Sequence, residues 1–228
     1  MLRTVRRRLY LMRHAEVSYV GERDPEVVHL TELGVQQAAA AHRALDDVAF
    51  DLVVTSGLPR TLETAAVVVP EWVPEEWPAF AEWRGGRLDD VPPEELEAIF
   101  VGSLQVRDEA ARFLGGESLG EALDRILPAF TRLVARDWDT ALAVFHGGVN
   151  RILLSQALAG GRTYFGTFEQ APACINVLDL GGDGAWIVRT VNYIPYDPLH
   201  PARTTTMEHL WSELEPWLDQ PGPDVKRG

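Results

Sequence analysis

Short apolar runs of strand length alternate along the chain with longer stretches whose apolar residues recur at helical spacing. The first run, Leu9-Tyr10-Leu11-Met12, ends in Arg13 and His14. After a loop over Val17 to His29, Leu30-Thr31-Glu32-Leu33-Gly34 opens an alanine-rich helix to Leu45, with Thr31 as its cap and Glu32 suited to the positive helix end. Asp51 to Ser56 is a second buried strand, and Ser56 to Ala65 reads as a loop entering a helix with Arg60 in its first turns. Pro70 to Pro78 is a proline- and tryptophan-rich connection, and Ala79 to Trp83 reads as a short extended piece leading to Gly85-Gly86.

Residues 84–116 are rich in proline and charge, with one helix at Pro93 to Phe100, and read as an insertion capping the active end of the sheet. Glu117 to Arg136 is a helix, Ala141 to Phe145 a strand, and Val149 to Leu158 a helix. Two β-rich segments, Ala173 to Leu180 and Ala185 to Val191, are joined by Gly181-Gly182-Asp183-Gly184 as a hairpin or tight crossover. In the tail, within residues 203–220, Met207, Leu210, Trp211, Leu214 and Trp217 share one helical face, which serves packing on the same domain or a homodimer contact. The β-α-β-α alternation predicts one α/β domain over residues 1–228, a three-layer α/β/α sandwich with a mostly parallel central sheet.

Composition narrows the partners. The 228 residues carry a net charge of −13, which argues against a general nucleic-acid binder and demands that any phosphate site be built from locally gathered arginines. No apolar run is long enough to span a bilayer, and no membrane partner is expected. Arg3, Arg6, Arg7 and Arg8 resemble the basic start of a signal peptide, but Arg13 breaks the short apolar segment after them, so they read as solvated charges. The lone cysteine, Cys174, excludes an internal disulfide, sits among apolar neighbours as a core residue and fits a cytoplasmic location.

Two of the strands end in a histidine: Arg13-His14, and His146 followed by Gly147-Gly148. In open α/β sheets ligands bind at the carboxyl ends of strands, so both histidines are placed to share a site. With Leu30 to Gly34 and Gln37-Ala38, Ser56 through Arg60 to Thr64-Ala65, Glu82 before Gly85-Gly86, and Gly116-Glu117-Ser118, these pieces occur in order from Leu9 to about Asn192. Together they resemble the histidine phosphatase superfamily in its phosphoglycerate mutase-like branch.

That resemblance implies a phosphatase acting on a small phosphorylated molecule through a phosphohistidine. His14 would be the nucleophile, and Arg13 and Arg60 would clamp the phosphoryl oxygens. A protonated His146 would add a donor, and the backbone at Gly147 would add N–H groups at a helix start. Glu82 would give a proton to the leaving oxygen, although Asp89, Asp90, Glu94 and Glu95 compete for that role in the same stretch. No cofactor and no metal dependence are expected. A zinc site on His14, His146 and a carboxylate lacks any recognisable ligand spacing.

The chain departs from the family pattern where glycine, threonine and a phosphate-contacting asparagine are replaced by Ala15, Val17 and Val20. Ser18, Tyr19, Arg23, Arg84 and Arg87 are the candidates to supply the lost donor. Two other functions stay open: a phosphoglycerate mutase-type phosphotransferase, for which Arg84, Arg87, Arg107 and Arg112 would hold a second anionic group, and a non-catalytic phosphate-binding regulatory domain.

Overall fold

A computed structural model describes residues 6–20, 24–105 and 108–218. Arg3, Arg23 and Arg107 lie outside them, as do the last two residues of the expected tail helix. Strand β1 (Arg7–Arg13) starts earlier than its apolar run. Arg7 and Arg8 are therefore strand residues and not a solvated tail. The Arg7 guanidinium donates to the carbonyls of Val134 and Arg136 at 2.8 Å each and lies over the Trp138 ring, while Arg8 pairs with Asp179 at 2.7 Å.

Helix α1 (Glu32–Leu45) starts where Thr31 accepts the N–H of Gly34 in its side-chain oxygen. Then come β2 (Leu52–Thr55) and α2 (Pro59–Val68), which opens on a proline whose missing N–H costs nothing at that position. β3 (Glu75–Glu76) is a two-residue strand inside the proline- and tryptophan-rich connection. The stretch expected to be extended from Ala79 is instead entered through a 3-10 turn at Pro78–Phe80. Pro78 presets that turn, and burial of Phe80 against Phe145, with ring centroids 4.4 Å apart, holds it.

The remaining elements are α3 (Pro93–Gly102), α4 (Leu119–Val134), β4 (Thr140–Phe145), α5 (Gly147–Ala159), β5 (Ile175–Leu180), β6 (Trp186–Tyr193) and α6 (Thr206–Leu218). A capping box starts α4: Ser118 accepts the N–H of Glu121, and the Glu121 carboxylate accepts the N–H of Ser118. β5 and β6 form an antiparallel hairpin across Gly181 to Gly184.

The sheet has six strands in the order β3-β2-β4-β1-β5-β6. β3, β2, β4 and β1 pair in parallel, and β5 runs antiparallel to β1. Alternation along the strands feeds two cores. Leu9, Leu11, Ala141, Ala143 and Phe145 face α4 and α5, while Met12, Leu142 and Val144 face α1 and α2. The result is the three-layer α/β/α sandwich.

β1 leads through α1 to β2 on one side, and β4 leads through α5 to β5 on the other. Neighbouring strands whose connections part in opposite directions leave a crevice at their carboxyl ends. α6 lies on α3, with Met207, Leu210, Trp211 and Leu214 packed against Leu96, Phe100 and Leu114. Trp217, grouped with that face by spacing, remains 51% exposed. Among the described residues no helix is long and apolar enough to cross a membrane.

The start of α1 presses on the turn after β1. A Cβ on Gly34 would come within 2.2 Å of the Glu16 carbonyl oxygen. Gly34→Ala should therefore lower stability by about 1–3 kcal/mol, read as a fall in the urea midpoint, although alanine is the better helix former. An unchanged or raised midpoint would mean that the Glu16 backbone yields freely.

Candidate active site

The parallel register pairs Arg13 with Phe145, so His14 and His146 emerge side by side at the carboxyl ends of β1 and β4. The His14 N–H donates to the Phe145 carbonyl at 2.9 Å, one further rung of that ladder. The imidazole centroids lie 5.2 Å apart at an interplanar angle of 62°, and both rings are buried.

Each ring's tautomer follows from its partners. His14 Nδ1 lies 2.7 Å from the Ala15 carbonyl oxygen, which only accepts, so Nδ1 carries the proton and Nε2 keeps its lone pair. Arg60 Nε donates to His146 Nδ1 at 3.3 Å, so that nitrogen is the unprotonated one. His146 Nε2–H then donates to Ser56 Oγ at 2.8 Å, and Ser56 passes its proton toward Thr61 Oγ1, which donates to the Leu58 carbonyl. Burial, then the charge of Arg13 and Arg60, holds His14 well below the ordinary histidine range. Burial, then Arg60, His14 and Arg13, does the same to His146.

Burial and the adjacent Arg60 favour the neutral His146 ring, and the protonated ring expected among phosphate oxygens belongs to a site that holds a dianion. The same contact bears on the zinc alternative, because a metal on Nδ1 would have to displace a guanidinium.

Helix α2 serves both strand ends. Its second residue, Arg60, is 3% exposed and donates Nη1 to the Pro25 carbonyl at 2.8 Å. One turn later Thr64 Oγ1 donates to the Arg60 carbonyl and accepts the N–H of Ala15 at 2.9 Å. Gln37 on α1 accepts the N–H of Glu16, whose carboxylate takes the Thr31 hydroxyl. The Thr-Glu-Leu-Gly, Gln-Ala and Thr-Ala motif pieces therefore hold the turn that carries His14.

Arg13 donates Nη1 to the Gln170 carbonyl at 2.5 Å, while its Nε is buried without a partner among the described residues. Gly147 opens α5 and its N–H has no partner within the helix. A Cβ there would lie 3.2 Å from Arg151 Nη1 and 3.7 Å from Arg13 Nε, so Gly147 sits between two guanidiniums. Arg151, which sequence reasoning missed, donates Nε to the Phe168 carbonyl, and its buried Nη2 has no partner among the described residues.

Glu82 also reaches this helix start. Gly148 N–H lies 3.1 and 3.2 Å from its two carboxylate oxygens, and Trp83 N–H donates to Oε1 at 2.8 Å. A Cβ on Gly148 would stand 2.6 Å from Oε1, which explains the second glycine. Oε2 is the less engaged oxygen. The competing acids stand elsewhere: Asp89 pairs with Arg87, and Asp90, Glu94 and Glu95 are exposed.

Two imidazoles at paired strand ends, two arginines beside them and a carboxylate held at the start of α5 lie along the segment from β1 to β6, and residues 9–193 match the profile of the histidine phosphatase superfamily (branch 1). The chain belongs to that superfamily.

Within it, the chain is 26% identical over 212 residues to a "probable 2-carboxy-D-arabinitol-1-phosphatase" of Arabidopsis thaliana, covering 85% of this chain and 43% of that one. It is 35% identical over 145 residues to a 2,3-bisphosphoglycerate-dependent phosphoglycerate mutase of Methylobacterium radiotolerans, covering 56% and 66%. The chain thus spans less than two thirds of the length of either relative. Among solved structures, a mycobacterial glucosyl-3-phosphoglycerate phosphatase in complex with VO3 superposes with a TM-score of 0.64 at 25% identity, covering 82% of this chain and 98% of that one.

Around Val20, where the expected pattern has asparagine, the two described arginine candidates are paired with carboxylates. Ser18 Oγ accepts the N–H of Val20, Arg84 pairs with Glu26 at 3.9 Å, and Arg87 pairs with Asp89 at 3.4 Å. Tyr19 is half-buried.

The two neutral imidazoles have a consequence for stability. In the unfolded chain they take up protons near the ordinary value of 6.5, but in the folded chain only well below it. The unfolded state therefore binds more protons in that window, and stability, complete above pH 6.5, falls as the pH drops below it. The slope should approach about 1.4 kcal/mol per pH unit for each imidazole. Urea unfolding followed across that window should show this decline, and His14→Gln should flatten it; equal slopes in both proteins would contradict the buried neutral ring.

Proposed function

We propose that the protein is a phosphatase that hydrolyses a small phosphomonoester through a phosphohistidine on His14, without a metal. The observation that carries this reading is the tautomer of His14. Its Nδ1–H is fixed on the Ala15 carbonyl, so an Nε2 lone pair stands ready among cationic groups.

The step balances simply. The Nε2 lone pair forms the N–P bond as the ester P–O bond breaks, and the leaving oxygen takes a proton from Glu82 at its less engaged oxygen. Glu82, then a carboxylate, removes a proton from the water that attacks phosphorus, which frees phosphate and restores His14. Phosphoryl transfer rests mostly on positioning and charge stabilisation. Arg13, Arg60 and the N–H of Gly147 supply that here, with Arg151 as an addition. A bound dianion would oppose the charges that depress His146, and so favour a protonated ring that donates to phosphate.

Residues 84–116 are read as the cap that meets the rest of the substrate, because their neck at Arg84 and Glu117 adjoins Glu82 and Arg84 reaches Glu26 on the loop before α1.

A mutase remains the second reading, favoured by the similarity to phosphoglycerate mutases. A mutase needs cations for a second anionic group, and the described ones in the cap are spent on carboxylates: Arg84 on Glu26, Arg87 on Asp89, Arg112 on Glu121. That favours hydrolysis.

p-Nitrophenyl phosphate should be hydrolysed in the presence of a chelator, and His14→Ala should abolish release. Loss of a radiolabelled phosphoryl group from the quenched protein in acid, with retention in base, would identify the phosphohistidine. Turnover that needs a bisphosphate primer would favour the mutase, and turnover restored only by a divalent ion would overturn the metal-free mechanism.

A further inference from the structure

Glu82 sits on main chain that belongs to no strand and no helix, just beyond the 3-10 turn at Pro78–Phe80. A proton donor must hold its place to within a fraction of an ångström, so something outside the turn has to fix it. The structure supplies this from α4. Arg125 donates Nη1 to the carbonyls of Ala79 and Ala81 at 2.8 Å each, and Nη2 to the carbonyl of Glu82 itself at 3.3 Å. Its Nε and Nη2 also grip the two oxygens of Glu117, at 2.9 and 2.6 Å. A guanidinium has five N–H groups, and all five are engaged.

Glu117 braces the same turn from the far side. Its carboxylate accepts the N–H of Arg84 at 3.2 Å, its own N–H donates to the Arg84 carbonyl at 2.9 Å, and its carbonyl accepts the Trp83 indole at 2.7 Å. The ion pair is largely buried, with side-chain exposures of 17% for Arg125 and 11% for Glu117. Burial alone would push the Glu117 carboxyl up, but the Arg125 fork and the Arg84 N–H outweigh it and hold it below the ordinary range.

We propose that Arg125, oriented by Glu117, is the positioning residue for the proton donor: it pins the main chain on both sides of Glu82 so that the carboxyl meets the leaving oxygen. This rests on the reading of Glu82 as that donor. Lysine cannot replace it. One ammonium with three donors cannot hold a carboxylate by a planar fork and three carbonyls at once.

The test is leaving-group dependence in the full chain. A p-nitrophenyl ester departs with little need of a proton, whereas an alkyl ester such as glycerol 2-phosphate needs one. Arg125→Lys should lower kcat for the alkyl ester on the order of 10–100-fold more than for the nitrophenyl ester, with KM little changed. Glu117→Gln, which leaves the carbonyl contacts of Arg125 in place, should show the same bias at smaller size and serves if Arg125→Lys folds poorly. In a Glu82→Gln background, Arg125→Lys should cost nothing further on the alkyl ester.

Equal losses on both esters, or losses that multiply in the double variant, would overturn the proposal and leave Arg125 a structural residue. A Glu82→Gln protein without leaving-group bias would overturn it differently, by removing Glu82 as the donor.

Discussion

The parallel pairing of β1 with β4, in the register that sets Arg13 beside Phe145, determines where every other group of the site has to stand. A shift of one residue would turn the alternating side chains of β1 to the opposite layers and carry His14 away from His146. That register is secured from both faces, because Leu9 and Leu11 belong to one core and Met12 to the other. Burying an aliphatic side chain of this kind contributes roughly 1.5–3 kcal/mol, so a slipped strand would forfeit several such terms at once. The chemistry at the strand ends is held in place by apolar packing far beneath it.

A second constraint is electrostatic. Two imidazoles are buried beside Arg13 and Arg60, with no carboxylate among the described residues paired to either ring, and charging them would add cations to cations. The rings stay neutral, and each neutral ring needs one donor and one acceptor role satisfied. His146 has both, in Ser56 and Arg60. Among the described residues His14 has only the Ala15 carbonyl, on Nδ1, which leaves its Nε2 as the basic atom of the pair. The asymmetry between two histidines in similar strand-end positions is therefore one of hydrogen-bond partners, and it supports the proposed role of His14 without reference to motif order.

Much of this was legible in the chain. Strand-ending histidines, the Thr31 cap, the α2 entry with Arg60 and the β5–β6 hairpin are local patterns, and local patterns survive folding. The misreadings share one cause. Arg7 and Arg8 looked solvated because their partners, Val134, Arg136 and Asp179, lie more than a hundred residues away. The turn at Pro78–Phe80 depends on Phe145, and β3 is too short to show a period. Arg125 in sequence is one more arginine on an amphipathic helix. Nothing local distinguishes an arginine that faces solvent from one whose five donors are all engaged.

The groups proposed to bind phosphate and the segments proposed to meet the rest of a substrate are not independent. Arg60 touches His146 through Nε and the Pro25 carbonyl through Nη1, so one guanidinium joins the reacting centre to the loop before α1. That loop is tied again where Glu63, one turn after Arg60 on α2, accepts from His29 and from the N–H of Leu30. Across the crevice, Arg84 pairs with Glu26 of the same loop while its backbone is held by Glu117. A change in loop sequence that moves Pro25 or Glu26 therefore acts on Arg60 and on the neck of the cap together. On the phosphatase reading, specificity and phosphate affinity would then vary jointly, because the same few hydrogen bonds would carry both.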